Sequence, residues 1–129
     1  MDKAARILIL EDTLSDADLM QFELQEAGIN FVSKLVKTGR EYVQALQDFL
    51  PDLILSDYSL PQYDGSFAFA EARKRCPNVP FILVTGFFEG DYDRVCESLV
   101  PGADDYVLKH NLHRLAAADK KALGISGVP

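Results

Sequence analysis

At 129 residues the chain is about one domain's worth, enough to bury roughly two thirds of the surface its unfolded form would expose. With 48% hydrophobic and 26% charged residues, 8 Gly and 6 Pro, it has the composition of an ordinary globular protein, which excludes disordered and collagenous chains. Its 13 basic residues face 20 acidic ones, a net charge of −7, so direct binding to nucleic-acid phosphates is disfavoured.

In chain order, the run Ile7-Leu8-Ile9-Leu10 is continuous rather than alternating, which predicts a strand buried on both faces. Ser15-Asp16-Ala17-Asp18 is a loose capping box and predicts the start of a first helix. Ala17, Met20, Leu24 and Ala27 recur at helical spacing, and Gly28 stops the helix. Phe31-Val32-Ser33-Lys34-Leu35-Val36 mixes polar with apolar residues, as an edge strand does. Thr38-Gly39-Arg40-Glu41 is a full capping box opening a second helix with the stripe Val43, Leu46 and Leu50, ended by Pro51. Leu53-Ile54-Leu55 predicts a third strand, and residues 64–75 a third helix closed by Pro77. Phe81-Ile82-Leu83-Val84 predicts the fourth strand and residues 91–99 a fourth helix. Tyr106-Val107-Leu108, preceded by Asp104 and Asp105, predicts a second edge strand. Asn111 would cap a fifth helix over residues 112–123, with Gly124 at its end and a tail over 124–129.

Strands alternating with helices predict a single doubly wound α/β domain with its core over about residues 5–123 and a parallel five-stranded sheet in the flavodoxin-like order 2-1-3-4-5. The longest apolar stretch, residues 79–88, contains Thr85 and Gly86 and is too short to span a bilayer. The N-terminus lacks a secretory cleavage pattern, and Cys76 and Cys96 suggest no disulfide framework, so the expected location is the cytoplasm. His110 and His113 are expected to face solvent, and Arg73-Lys74-Arg75 and Lys120-Lys121 to be solvated helix ends.

In a sheet of this order, ligands bind outside the carboxyl ends of the strands. Those ends carry Glu11 and Asp12 after the first strand, Asp57 after the third, Thr85 at the fourth and Lys109 after the fifth. Three gathered carboxylates repel one another by about 4 kcal/mol per pair at 4 Å and an effective dielectric of 20, so they call for a cation or raised pKa values. Hard oxygen donors without His or thiolate favour Mg²⁺, with Mn²⁺ as a substitute. Asp57, at the central position, is the candidate nucleophile toward phosphorus; Glu11 and Asp12 are metal candidates, and Thr85 and Lys109 candidates for phosphoryl oxygens.

The segments ILILED, PDLILSDYSLPQYDG, FILVTG and GADDYVLK, in this order, resemble the receiver domain of two-component response regulators and hybrid sensor kinases over residues 5 to about 123. The resemblance implies that Asp57 accepts a phosphoryl group from a phosphohistidine of a sensor histidine kinase or histidine phosphotransfer protein. It implies Mg²⁺ held by Asp12, Asp57 and the Ser59 backbone carbonyl, with Glu11 acting mainly through water, and phosphoryl oxygens met by the backbone N–H groups of Tyr58 and Gly86. It further implies a switch coupling Thr85 to Tyr106, a responsive face of helix four, strand five and helix five through which a homodimer could form, and hydrolysis modulated by Ser59 and Phe87. Phosphoryl acceptance and slow autodephosphorylation would be self-catalysed, regulating a partner or attached output rather than turning over a substrate. The alternative is a receiver-like interaction module that works without phosphate.

Where the family usually has a cis proline after its lysine, this chain has Lys109-His110, for which a trans bond is expected. A flavin-binding reading fails because Glu11 and Asp12 would repel the phosphate at the first loop. A haloacid-dehalogenase-like phosphatase would need a second Asp where Ser59 stands.

Overall fold

The computed structural model describes residues 3–58, 64–86 and 100–125. Its order is β1 (Ala5–Leu10), α1 (Leu14–Glu26), β2 (Phe31–Val36), α2 (Gly39–Asp48), β3 (Leu53–Ser56), α3 (Gly65–Arg75), β4 (Phe81–Thr85), β5 (Asp105–Leu108), a 3₁₀ helix (Lys109–Arg114) and a C-terminal helix (Leu115–Leu123). The expected fourth helix over residues 91–99 and Cys96 lie outside the described residues.

All strands pair in parallel in the order β2-β1-β3-β4-β5. The sheet is buried on both faces because each central strand alternates two apolar sets. Ile7, Ile9, Leu53, Leu55, Ile82, Val84 and Val107 meet Met20 and Leu24 of α1 and Leu115 and Ala118 of the C-terminal helix. Leu8, Leu10, Ile54, Phe81 and Leu83 meet Tyr42, Ala45 and Leu46 of α2 and Ala68 and Ala72 of α3. Each of these larger side chains contributes about 1.5–3 kcal/mol by leaving water. The edge expectation holds: β4 is buried throughout, whereas β2 exposes three consecutive residues.

Helix ends show where local sequence ruled and where it did not. In α2 the Thr38 hydroxyl accepts the Glu41 N–H at 3.1 Å, and the Glu41 carboxylate accepts the Lys37 N–H at 3.1 Å. Asp64 caps α3 by accepting the Phe67 N–H at 3.1 Å. Gly28, at φ +75°, ends α1 with the Ile29 N–H reaching back to the Leu24 carbonyl.

The start of α1 differs from the expected Ser15 box. The helix begins at Leu14 after Thr13, and the Ala17 N–H already donates to the Thr13 carbonyl, so Ser15 is helical. In α2 the buried stripe is Tyr42, Ala45 and Leu46, with Val43 only half-buried. Leu50 stands outside the helix, exposed and at φ +54°; the helix stops short of it because Pro51 disfavours right-handed helical backbone at the residue before it.

The C-terminal boundary is also corrected. Asn111 does not cap an α-helix but interrupts a 3₁₀ segment at φ −135°, ψ 44°, and the α-helix starts at Leu115. The chain there is fixed at several points at once: Lys109 reaches the sheet end, Leu112 enters the core, and Arg114 donates to the Asp105 carboxylate and the Tyr106 carbonyl. The Lys109-His110 bond is trans, as expected.

Candidate functional site at the carboxyl end of the sheet

Strand register assembles the site. Leu10 pairs with Ser56 and Ser56 with Leu83, so the residues after β1 and β3 emerge side by side. The Asp57 N–H donates to the Leu10 carbonyl at 3.0 Å, and the Glu11 N–H to the Val36 carbonyl at 3.0 Å, extending the ladder to the first residue of each loop. Thr85 pairs with Leu108, which delivers Lys109 from the adjacent edge.

Glu11, Asp12 and Asp57 each offer a carboxylate oxygen within 4.8 Å of the others. Glu11 and Asp57 are buried, whereas Asp12 is exposed. Lys109 Nζ lies 2.8 Å from Glu11 Oε1, 2.8 Å from Asp16 Oδ2 and 3.0 Å from Asp57 Oδ2. The contacts to Asp16 and Asp57 have hydrogen-bond geometry, while Glu11 Oε1 receives no directed donor among the described residues despite its close ammonium. Glu11 Oε2 accepts the Thr13 N–H at 3.2 Å.

These surroundings displace two ionisations. Burial, reinforced by the Asp57 charge, pushes the Glu11 carboxyl up to about 7, although Lys109 and the Thr13 N–H oppose the rise. Burial pulls the Lys109 ammonium down, but Asp16, Glu11 and Asp57 outweigh it and hold the group charged well above its ordinary range.

The chain matches the family model for the response regulator receiver domain over residues 7–118. It belongs to that family. This receiver is similar to the luminescence regulatory protein LuxO of Vibrio campbellii, at 35% identity over 101 residues, covering 78% of this chain and 21% of LuxO. It is similar to the alkaline phosphatase synthesis transcriptional regulatory protein PhoP of Bacillus subtilis, at 30% identity over 118 residues, 92% of this chain and 48% of PhoP. The receiver thus spans about a fifth to a half of the length of these relatives. Among solved structures, a CheY-like response regulator receiver domain protein from Methanospirillum hungatei superposes with a TM-score of 0.78 at 28% identity, covering 95% of each chain. No helix among the described residues of the receiver is long and apolar enough to cross a membrane.

The remaining expected residues of the receiver fall as follows. Thr85 is buried at the end of β4. Alternation puts it on the same sheet face as Leu83, whose partner across β5 is Tyr106. The Tyr106 ring is half-buried against the Leu83 and Val100 side of the core, and its hydroxyl donates to the Val100 carbonyl at 3.2 Å. Tyr58 follows Asp57, and its carbonyl accepts the Gly65 N–H at 2.8 Å. A Cβ on Gly65 would come within 3.0 Å of Leu83 and 3.1 Å of the Tyr58 ring, so glycine is needed where α3 approaches the site loop. Gly86 borders open space. Ser59 and Phe87 lie outside the described residues.

Three residues at or near this framework escape a reading of the sequence. Asp16 stands inside the expected Ser15 box but meets Lys109, and nothing local ties it to a residue 93 positions away. Arg73 is more than a solvated helix end: it pairs with Asp104 at 2.8 Å, donates to the Val79 carbonyl and lies over the Phe69 ring. Asp119 is fully buried in the C-terminal helix, and neither of its carboxylate oxygens has a hydrogen-bond partner among the described residues. His110 and His113 are exposed, as expected, and Cys76 is a free thiol that donates to the Leu46 carbonyl.

Proposed function

We propose that this receiver is a phosphoacceptor switch in which Asp57 takes a phosphoryl group from a phosphohistidine of a sensor histidine kinase or histidine phosphotransfer protein. The observation that carries the reading is the pairing of buried Asp57 with Lys109 at 3.0 Å inside the carboxylate group at the strand ends. An Asp57 carboxylate oxygen forms a bond to phosphorus as the P–N bond breaks, and the electron pair leaves with the imidazole nitrogen. Lys109 supplies N–H donors to the phosphoryl oxygens, which carry about two negative charges. Thr85 offers its hydroxyl, and the backbone N–H groups of Tyr58 and Gly86 complete the oxyanion contacts.

The donor set fits a divalent cation. Three carboxylates, those of Glu11, Asp16 and Asp57, share one ammonium, Asp12 lies close to two of them, and buried Glu11 Oε1 lacks a directed donor. Asp12 and Asp57, with the Ser59 carbonyl and with Glu11 through water, would hold Mg²⁺, for which Mn²⁺ could substitute. When bound, such an ion would draw charge from the phosphoryl oxygens and remove the repulsion among the carboxylates.

The arriving charge biases the Thr85–Tyr106 pair, and the response passes through the face formed by the expected helix over residues 91–99, β5 and the C-terminal helix. That face would contact a partner, an attached output or a second copy. Ser59 and Phe87 would set how water reaches the adduct, making dephosphorylation slow and self-catalysed. Residues 1–129 form one receiver domain in this reading, working in the cytoplasm, where kinases of this class present phosphohistidine.

Intact mass spectrometry after incubation with Mg²⁺ and acetyl phosphate tests it. One adduct of about 80 Da that needs Mg²⁺ and is absent in Asp57→Ala is the expected result. No adduct under conditions that label another receiver would overturn the reading in favour of an interaction module that needs no phosphate.

A further inference from the structure

Lys109 Nζ donates to Asp16 at 2.8 Å and to Asp57 at 3.0 Å, and Glu11 Oε1 stands 2.8 Å away without a directed N–H. The ammonium is therefore held between Asp16 and the phosphoacceptor, and a phosphoryl group on Asp57 must draw on it in competition with the carboxylates already there. The three carboxylates differ. Glu11 is completely buried, so its oxygen exchanges the ammonium for solvent less readily than an exposed one. Asp57 itself becomes the phosphoryl carrier. Asp16, on the first turn of α1, has 29% of its side chain exposed and lies outside the close group of Glu11, Asp12 and Asp57, so its oxygen can return to water.

We propose that Asp16 is a positioning residue that parks the Lys109 ammonium before phosphorylation and is exchanged for a phosphoryl oxygen when Asp57 is modified. The proposal rests on the phosphoacceptor reading of Asp57. Asp16 is a competitor: its hydrogen bond holds the ammonium that the incoming group draws on, and its charge adds to the repulsion of an anionic donor. Neither part depends on a change of fold, because the contact joins a half-exposed side chain on a helix end to the tip of an edge strand.

With acetyl phosphate the step balances simply. An Asp57 oxygen bonds to phosphorus, the P–O bond to the acetyl group breaks, and acetate leaves with the electron pair. The initial rate and the plateau of adduct formation are followed by intact mass at saturating Mg²⁺ for the parent, Asp16→Asn, Asp16→Ala, Asp16→Glu and Asp18→Asn. Asp18 is an exposed acid of the same helix and controls for charge alone.

Loss of one charge-assisted competitor should speed adduct formation about threefold to tenfold in both Asp16→Asn and Asp16→Ala. Asp16→Glu, which keeps the carboxylate, should return most of the way to the parent rate, and Asp18→Asn should stay within about twofold of it. Thermal melts of each variant exclude a folding defect, and Asp16→Ala provides a second substitution should Asp16→Asn pack badly. Equal or slower labelling in both neutral Asp16 variants, or an equal acceleration in Asp18→Asn, overturns the exchange role while the Asp57 adduct stands. Absence of any Mg²⁺-dependent adduct in the parent is a different result: it overturns the phosphoacceptor reading, and the Asp16 proposal falls with it.

Discussion

Glu11 and Asp119 are both completely buried acids, and they sit in opposite circumstances. Glu11 lies at the carboxyl end of β1 with Lys109 Nζ 2.8 Å away and two further carboxylates close by. Asp119 lies in the C-terminal helix with no hydrogen-bond partner among the described residues, and burial, aided by the charge of Asp105, pushes it up to about 8. The same penalty of burying a carboxyl is partly offset in one place by a cation, within a group of converging charges; in the other nothing opposes it and the proton is kept. Burial alone therefore does not mark a site; convergence of several charged groups on one crevice does.

Removing the cation should break the comparison most severely. Lys109→Met leaves the carboxylates of Glu11, Asp16 and Asp57 without their ammonium, and the protein should lose about 3–5 kcal/mol in urea unfolding without divalent ions. Added Mg²⁺ should restore part of that loss, and an unchanged midpoint would show that the cluster needs no cation.

Asp119→Asn should act the other way, raising stability at pH 7 by about 3 kcal/mol. The sign follows from the raised folded value: the ordinary carboxyl value is 3.8, so between there and about 8 the unfolded chain has released a proton that the folded protein retains. Stability from this group accordingly falls as pH rises through that window and is level on either side of it. Unfolding curves collected from pH 4 to 8 should lose that slope in the variant; an unaltered slope would mean that Asp119 is ionised within the fold.

Smaller effects sharpen the contrast at the periphery. Arg73→Ala removes the Asp104 pair, the Val79 carbonyl contact and the stacking on Phe69, and should cost about 1–2 kcal/mol. Thr38→Ala removes only the α2 cap and should cost about 1 kcal/mol. Both are read from denaturant midpoints, with Asp57 labelling by acetyl phosphate unchanged, since the contacts these substitutions remove involve neither Asp57 nor Lys109.

How much of the fold and the site is legible in the amino-acid order follows the range of the forces involved. The strands are visible because a strand covered on both faces must be apolar at every position, and Ile7 to Leu10, Leu53 to Leu55 and Phe81 to Val84 have no polar interruption. Glu11, Asp12, Asp57, Thr85 and Lys109 are visible because each stands at the carboxyl end of such a run, and strand order then brings those ends to one edge. The caps at Thr38 and Asp64 are visible because a cap is a contact between residues three apart.

Other features need the tertiary structure. Asp16 falls within the capping pattern read at residues 15–18 without being its acid, yet its carboxylate goes to Lys109, because an ammonium held among buried acids is a strong attractor for an oxygen at a helix start. Asn111 looks like a cap but falls in a 3₁₀ turn, since Lys109, Leu112 and Arg114 are each held by distant partners. Asp119 reads as one more surface acid, and only the packing of its helix on the sheet encloses it. The sequence by itself determined the layers, the strand order and the carboxylates at the strand ends, because these rest on hydrophobic periodicity. The partner of each buried charge was decided only in three dimensions, where one ammonium chooses among oxygens that lie far apart along the chain.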